Sequence, residues 1–239
     1  MDAIAHISTA FGSKFGVPRQ AGLVGELAGK IVFTEQYRNP DALRGIEGFS
    51  HLWLLWSFSE VKQTEWSPTV RPPRLGGNSR MGVFATRSPY RPNPIGLSCV
   101  RLSRVEWDSP DGPVLHILGA DLMDGTPIFD IKPYLPYCDC HTDATGGFTD
   151  PLQDRPLSVR FPSELLEKVP EDLREGLVGV LAADPRPRYQ NDPERVYGME
   201  FGGRNVRFRV EDGTLYVTDV QEIILQGEAE NAHEDQKPV

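Results

Sequence analysis

Alternating apolar and polar positions predict a series of short β-strands in the first 131 residues. Segments 3–11 and 30–36 alternate and are rich in β-branched residues, which is typical of half-buried strands. The stretch HLWLLWSF, residues 51–58, is an unbroken apolar run and predicts a buried central strand. Further strands are predicted at 82–86, 97–107, 114–122 and 128–131, with turns at SPDGP and Asp124-Gly125. Closure into a small barrel is the economical arrangement, because it leaves no unpaired edge.

The remaining pattern predicts one short helix inside the first domain and a second, smaller domain after it. Asn39 followed by Pro40 predicts a helix that begins there and ends near Gly48. The Gly- and Pro-rich segment 142–156 predicts a linker, which divides the chain into domains 1–142 and 156–227.

The second domain combines predicted helices with amphipathic strands. Ser163 is the predicted N-cap of a helix that Pro170 interrupts and that resumes over 171–181. Strands are predicted at 196–201, 206–210 and 215–220, and the polar acidic segment 228–239 predicts a disordered tail. The fold class is therefore mainly β: a small antiparallel β-barrel with one short helix, plus a smaller α+β C-terminal domain.

The composition of the chain indicates the cellular compartment in which the protein works. The 239-residue chain has no run of 18 apolar residues, and its N-terminus lacks a basic region followed by an apolar core, so neither a membrane span nor a signal peptide is expected. Three cysteines are an odd number and predict a reducing cytoplasm rather than a disulfide framework. Cys138-Asp139-Cys140-His141 offers only one ligand pair where a structural zinc site needs two, so we predict no metal.

Charge is distributed unevenly along the chain. The net charge is −9, yet residues 71–104 contain seven arginines and no acidic residue, so the remainder carries −16. Arginine presents a planar fork that binds phosphate or carboxylate through two hydrogen bonds and stacks on bases. This segment indicates a localised anionic partner, or else surface arginines that pair with acids elsewhere in the fold.

Four clusters carry candidate chemistry, and several common catalytic motifs are absent. The chain has no GxGxxG after a strand, no GxxxxGK[ST], no GxSxG and no HExxH, which argues against Rossmann and P-loop enzymes. The clusters are the loops 15–22 and 71–78, the stiff cationic stretch FATRSPYRPNPIGLS, and the segment 119–137 with its carboxylates and tyrosines. A nucleotide-like ligand and an RNA partner would use all four, but the residues alone do not separate an enzyme from a binding module.

Six motifs together resemble one family. FGVPRQAGLV, FSHLWLLWSF, VRPPRLGGN, MGVFATRSPYRPNPIGLS, DLMDGTP and DIKPYLPY are similar to the TsaA-like (TrmO-type) tRNA adenine-37 N6-methyltransferases, and DPRPRY with the following strands resembles their bacterial C-terminal domain. The resemblance implies a β-barrel enzyme that uses S-adenosyl-L-methionine, forms a homodimer, and methylates N6 of N6-threonylcarbamoyladenosine at position 37 in the tRNA anticodon loop. The rival hypothesis is a non-catalytic tRNA-binding or cofactor-sensing module on the same barrel.

The resemblance also implies residues for each role. Those expected to bind the cofactor are Gln20, Ala21, Gly22, Phe58, Ser59, Arg87, Leu97, Gly119, Ala120 and Asp121. Those expected to act on the N6 proton or stabilise the resulting anion are Asn93, Lys132 and Tyr134. Those expected to contact the substrate are Arg71, Arg74, Arg91, Asn93 and Tyr137. Cys138-Asp139-Cys140 is left without a role.

Overall fold

The computed structural model describes residues 1–61, 66–72, 75, 79–152, 156–186 and 192–223. The first eight strands are β1 (Ala5–Ser8), β2 (Ala28–Phe33), β3 (His51–Ser57), β4 (Thr69–Val70), β5 (Met81–Gly82), β6 (Ile95–Glu106), β7 (Val114–Leu118) and β8 (Pro127–Pro133). All of them except β4 and β5 close into an antiparallel barrel in the spatial order β1-β2-β7-β6-β3-β8. The predicted antiparallel barrel is confirmed.

Strand β3 directs its side chains alternately to the barrel core and to the outer face of the wall. Leu52, Leu54 and Trp56 point into the core, while the residues between them lie half-buried on the outer face. A closed barrel has one interior, so the apolar run that predicted burial on both faces alternates instead. Truncating Leu54, which is fully buried, to alanine would cost about 2–5 kcal/mol.

Short 3-10 turns replace two predicted elements. Pro40–Leu43 and Ile46–Gly48 are separate turns rather than one helix, because Gly45 adopts a left-handed φ of 88° between them. Strand β2 ends at Phe33, and Glu35–Tyr37 is a 3-10 turn where the end of the strand 30–36 was predicted. Asn39 is a cap as predicted, since its Oδ1 accepts from the Asp41 amide at 3.0 Å.

The predicted strand 82–86 is wrong beyond its first residue. Strand β5 ends at Gly82, and Val83–Ala85 forms a 3-10 turn. The Val83 amide donates to the Pro68 carbonyl at 2.9 Å, which closes the two-stranded β4–β5 ribbon, and the Thr86 hydroxyl donates to the Val83 carbonyl at 2.8 Å. These two bonds turn the chain away from the extended path.

The C-terminal domain is a four-stranded sheet with two helices. Its elements are β9 (Ser158–Arg160), α2 (Ser163–Leu166), α3 (Glu171–Ala182), β10 (Tyr197–Phe201), β11 (Arg204–Glu211) and β12 (Thr214–Glu222), and α1 (Pro136–Asp139) precedes them. The sheet order is β10-β11-β12-β9, with β9 parallel to β12. Ser163 is the first residue of α2 rather than its predicted N-cap, which is Pro162. The predicted tail 228–239 lies outside the described residues, and no helix among those described is long and apolar enough to cross a membrane.

The long connection between β1 and β2 belongs to the core of the C-terminal domain. Phe11, Val24 and Leu27 pack in one buried cluster with α3 and β10–β12, apart from the barrel core. The Phe11 and Phe201 rings meet edge to face with centroids 5.3 Å apart. The Gly202 amide also donates to the Ala10 carbonyl at 2.7 Å. The two domains therefore share this segment.

Candidate active site

A hydrogen-bonded chain of three side chains lies where β3 ends and β6 begins. The Trp56 indole donates to the Ser98 hydroxyl at 2.9 Å, and that hydroxyl donates to Asp121 Oδ1 at 2.5 Å. Ser98 faces the barrel interior and is buried, and Gly96 is required beside it because a Cβ there would collide with the Trp56 ring. The strands thus hold one carboxylate in a fixed direction at one end of the barrel.

The protonation of Asp121 is set mainly by its removal from water. Burial raises the pKa of Asp121 above its ordinary value. The Ser98 hydroxyl, the amides of Asp121 and Ala21, and the charge of Arg87 oppose that rise without cancelling it. Burial disfavours the ionised form of this carboxyl, and carboxyls with such a shifted pKa are often found in functional sites, so Asp121 is a candidate functional group.

Two glycine-containing segments bring backbone close to this carboxyl. The Gly22 amide donates to the Gly119 carbonyl at 2.8 Å, and both residues have φ near +80°, at 78° and 80°. A Cβ on Gly119 would lie 3.4 Å from the Gly22 Cα, so the two main chains are in van der Waals contact. Gln20 accepts a hydrogen bond from Arg87, which ties this loop to the arginine-rich stretch.

The structure therefore brings one group of the predicted cofactor-binding residues together. Its members are Gln20, Ala21, Gly22, Arg87, Gly119, Ala120 and Asp121. Phe58 joins them from the end of β3: its ring packs on Trp56 at 4.3 Å, and its amide donates to the Pro94 carbonyl at 2.9 Å. Ser59 follows as an exposed turn residue, and the Leu97 side chain points to the outer face of the wall, where it is 52% exposed.

The cationic stretch ends beside this group. Asn93 is exposed just before β6, and its carbonyl accepts from the Ile95 amide at 2.7 Å. Arg91 is half-buried and donates to the Thr86 carbonyl at 3.1 Å, which folds the stretch into a compact loop. Of the other predicted substrate residues, Arg71 is exposed next to β4, and Arg74 lies outside the described residues.

A second cluster lies toward the other end of β3, on the outer face of the wall. The Trp53 indole donates to Asp139 Oδ2 at 3.0 Å, and the Leu135 amide donates to the same oxygen at 2.9 Å. These two donors, the Leu135 amide first, lower the pKa of Asp139. Desolvation, and next the neighbouring Cys140, raise the pKa of Tyr134, whose ring contacts Trp53 with centroids 5.8 Å apart.

The predicted catalytic residues are divided between these two clusters. Lys132 pairs with Trp53 across β3 and β8, whereas Asn93 precedes Ile95, which pairs with Ser57. Ser57 is four residue steps along β3 from Trp53, which is about 13 Å at ~3.3 Å per residue. Lys132, whose Nζ lies 2.9 Å from Asp130 Oδ2, and Tyr134 therefore do not reach Asn93 within one chain. Tyr137 lies on α1, which follows Tyr134 in the chain, and is 85% exposed.

Sequence reasoning missed three residues that organise the clusters. Ser98 was visible only as a hydroxyl at an inward-facing position of its strand, and Trp56 only as part of an apolar run. Asp139 was hidden in the unassigned Cys138-Asp139-Cys140 stretch, where it anchors the chain after β8. Within the residues that the structure describes, no group of three His, Cys, Asp or Glu side chains is placed to hold a metal.

Family models match both domains. The model of the tRNA-methyltransferase O N-terminal domain matches residues 6–140, and that of the TrmO C-terminal domain matches residues 154–223. The chain belongs to the tRNA-methyltransferase O family. The resemblance inferred from the six motifs is thereby confirmed.

Named relatives and a solved structure agree with this membership. A tRNA (adenine(37)-N6)-methyltransferase of Escherichia coli is 44% identical over 224 residues, which cover 90% of this chain and 95% of the relative. A putative S-adenosylmethionine-dependent methyltransferase of Pseudomonas aeruginosa is 38% identical over 212 residues, covering 86% and 90%. The crystal structure of TrmO from Pseudomonas aeruginosa matches with a TM-score of 0.73 at 32% identity, covering 92% of this chain and 97% of that one.

Proposed function

We propose that this family member uses S-adenosyl-L-methionine to methylate N6 of N6-threonylcarbamoyladenosine at position 37 of tRNA. The observation that carries the proposal is the partly buried Asp121 carboxyl, gathered with Arg87 and the Gln20–Gly22 loop at one barrel end. The predicted enzyme class agrees with the names of the relatives, tRNA (adenine(37)-N6)-methyltransferase and S-adenosylmethionine-dependent methyltransferase.

The chemistry of this end fits the cofactor. S-adenosyl-L-methionine supplies a methyl group bonded to a sulfonium, and it also carries an ammonium, a carboxylate and a ribose diol. Asp121 is suited to the cation or the diol, because burial strengthens its interaction with a partner that replaces water. Arg87 is suited to the carboxylate, and Gly22, where an added Cβ would meet nothing within 4 Å, leaves room for a ligand to approach the backbone. These residues would bind and orient the cofactor, and such positioning lowers the barrier to methyl transfer by several kcal/mol.

The substrate side is assigned to the loop that carries Arg91 and Asn93. Arg91 is held by the Thr86 carbonyl and can present its remaining donors to the threonyl carboxylate or a phosphate. The Asn93 side chain is exposed and offers both a donor and an acceptor to the carbamoylated adenine. Forming the new N6–CH₃ bond requires that N6 lose its proton, which solvent water can take, so a group near Asn93 must stabilise the resulting anion.

Tyr134 and Lys132 are better suited to stabilising an anion than to accepting a proton. Desolvation raises the pKa of Tyr134 further above neutral pH, and Lys132 forms a salt bridge with Asp130. Since neither reaches Asn93 within one chain, we assign both to a second copy in the homodimer that the family resemblance implies. The outer wall between the clusters supports such a contact, because Leu97 there is 52% exposed.

Mixed dimers test this assignment. Asp121→Asn and Lys132→Ala should each be nearly inactive alone. In a refolded mixture about a quarter of all sites should be active, because only those sites combine a wild-type Asp121 from one copy with a wild-type Lys132 from the other. The random-mixing estimate assumes that half of all dimers are mixed and that each has one intact site. A mixture that stays inactive, with mixed dimers shown by native mass spectrometry, would contradict the assignment of Lys132 to the second copy.

The experiment that tests the function is mass spectrometry of tRNA nucleosides after incubation with methyl-labelled S-adenosyl-L-methionine. Two substrates are compared: tRNA that carries threonylcarbamoyl at position 37 and the same tRNA without it. We expect one labelled methyl group on the modified nucleoside only. Labelled methyl on unmodified adenosine alone would refute the substrate. Binding of the cofactor and tRNA without transfer would support the rival, a non-catalytic module. The tRNA substrate and the three free cysteines favour a cytoplasmic location.

A further inference from the structure

An exposed pair of aromatic rings lies at the start of the cationic stretch and was given no role in the site described above. Trp66 is 51% exposed and Phe84 is 73% exposed, and their ring centroids lie 6.3 Å apart with planes 29° from parallel. They flank the β4–β5 ribbon: Trp66 precedes β4, and Phe84 lies in the 3-10 turn after β5. Leaving two large apolar rings in water is unfavourable, so a partner that covers them would gain that burial.

The surroundings of the pair select the partner. Residues 66–104 contain no acidic residue, and Arg71 and Arg80 are exposed on the same ribbon. Arg80 donates to the Thr69 hydroxyl at 3.3 Å, which keeps its guanidinium against β4. Stacked aromatic rings framed by arginines are the arrangement that binds unpaired nucleobases and their phosphates.

Phe84 is also close to Arg91 of the substrate loop, through its neighbours in sequence and one hydrogen bond. Phe84 is two residues from Thr86, whose carbonyl accepts from Arg91. A nucleotide on Phe84 would therefore lie beside the one that Arg91 contacts.

We propose that Trp66 and Phe84 form a stacking platform for an unpaired base next to the adenosine that is methylated. This inference rests on the proposed function and adds to it a base contact that does not depend on charge. It gives the enzyme a way to select an open loop, because a base within a duplex stacks on its neighbours and cannot stack on Phe84.

The test uses the full chain and a fluorescein-labelled anticodon stem-loop RNA with threonylcarbamoyladenosine at position 37. Fluorescence anisotropy should show about tenfold weaker binding for Phe84→Ala and for Trp66→Ala, with Trp66→Phe retaining most of the affinity. The dependence of log K on log salt should keep its slope in these variants, whereas Arg71→Ala should reduce it by about 0.7. Trp107→Ala, at an indole 36% exposed that donates to Glu47 at 3.3 Å, is the matched control and should bind as wild type.

Each outcome either supports or overturns the stacking platform. Phe84→Ala that binds RNA as tightly as the wild type would overturn the platform, while the proposed function would stand on the wild-type binding. A change of oligomeric state in Phe84→Ala would assign the rings to contact between copies and would also overturn it. If the wild type binds no stem-loop RNA, the platform and the proposed function are both wrong. Unchanged S-adenosyl-L-methionine affinity in each variant checks that it is folded.

A second, independent observation concerns helix α3. Two of its glycines face the segment that leads from the Gln20–Gly22 loop into β2: a Cβ on Gly179 would lie 2.6 Å from Val24 Cγ1, and one on Gly176 would lie 3.2 Å from Leu27 Cδ2. Leu27 accepts from the Gly119 amide at 2.8 Å, so the same segment also fixes the chain just before Asp121. We infer that α3 is a positioning element for the cofactor loop, which gives the C-terminal domain a role in cofactor binding.

A double-mutant cycle tests this inference through cofactor affinity, and it also rests on the proposed function. Gly179→Ala should push Val24 and weaken S-adenosyl-L-methionine binding about fivefold by calorimetry, and Val24→Ala in the same chain should restore most of it by removing the clashing methyl groups. Glu175→Ala, on the exposed face of α3, should bind as wild type. Wild-type affinity in Gly179→Ala, or a loss that Val24→Ala does not reverse, would overturn the inference. A wild type that binds no cofactor would overturn the proposed function with it.

Discussion

Asp121 and Asp139 are two carboxylates that depend on tryptophans of the same strand, β3, yet their protonation is shifted in opposite directions. Trp56 points inward and reaches Asp121 through the Ser98 hydroxyl, whereas Trp53 points outward and donates directly to Asp139. Burial raises the pKa of Asp121, while the Leu135 amide and the Trp53 indole lower the pKa of Asp139. The difference lies in the access of water, because desolvation outweighs the donors around Asp121 and does not outweigh those around Asp139.

The contrast separates a structural carboxylate from a functional one. The ionised form of Asp139 is favoured by the fold, so its charge helps to hold the chain after β8 in place. The ionised form of Asp121 is disfavoured by the fold, so at neutral pH the apo protein carries a cost there. Such a cost is retained where a ligand compensates for it, which is why Asp121 rather than Asp139 is placed in the cofactor site.

Asp121→Asn should have the largest effect on binding and the least harmful effect on stability. Losing the charged partner of a desolvated ligand group costs about 3 kcal/mol, so S-adenosyl-L-methionine affinity should fall on the order of a hundredfold by calorimetry. The melting temperature of the apo protein should be equal or higher, because a disfavoured charge has been removed. Unimpaired binding with a lower melting temperature would reverse the roles of the two carboxylates.

Ser98→Ala should weaken cofactor binding by about tenfold. It removes the hydroxyl that donates to Asp121, which raises the pKa of that carboxyl further, and it leaves the Trp56 indole buried without an acceptor at about 1–3 kcal/mol. Ser103→Ala, at an exposed position on the same strand, serves as the control and should change neither affinity nor melting temperature. Equal behaviour of the two variants would show that the hydrogen-bonded chain does not support the site.

Asp139→Asn should lower the melting temperature by roughly 2 °C at neutral pH and leave cofactor affinity unchanged. A carboxyl whose pKa is lowered by folding stabilises the protein above its unfolded value, near 3.9, and loses that contribution as the pH falls through the folded value. The difference from wild type should therefore shrink below about pH 4. Thermal denaturation over a pH series measures it, with the exposed Asp143→Asn as the control, and a difference that persists in acid would contradict the explanation.

The sequence predicted the barrel well because its strands alternate, and it failed where tertiary bonds decide the path. Residues 83–85 read as strand, but the bond from the Val83 amide to Pro68 ends the ribbon there. Strand β9 was assigned to no element, since three residues carry no measurable alternation and its order comes from pairing with β12. Two 3-10 turns replaced one helix because of the left-handed Gly45 between them.

The site was predicted in part, through the family motifs rather than through physical pattern. The predicted cofactor residues Gln20, Arg87 and Asp121 lie together at one end, and their role stays a prediction; a linear motif does not report distance, so it gave Lys132 and Tyr134 the same role as Asn93. Strand register separates them. Ser98 could not be predicted, because its role depends on two residues, 42 positions before and 23 positions after it, that only the closed barrel brings together.

The pH dependence of S-adenosyl-L-methionine binding, measured by calorimetry for the wild type and Asp121→Asn from pH 4.5 to 8, tests the central claim most directly. If the Asp121 carboxylate binds the cofactor, the affinity of the wild type should fall as the pH drops through the raised pKa of that group. The affinity of Asp121→Asn should be weaker throughout and should lack this transition, since ionisation of the ligand itself is common to both proteins. Two parallel pH profiles would contradict the account.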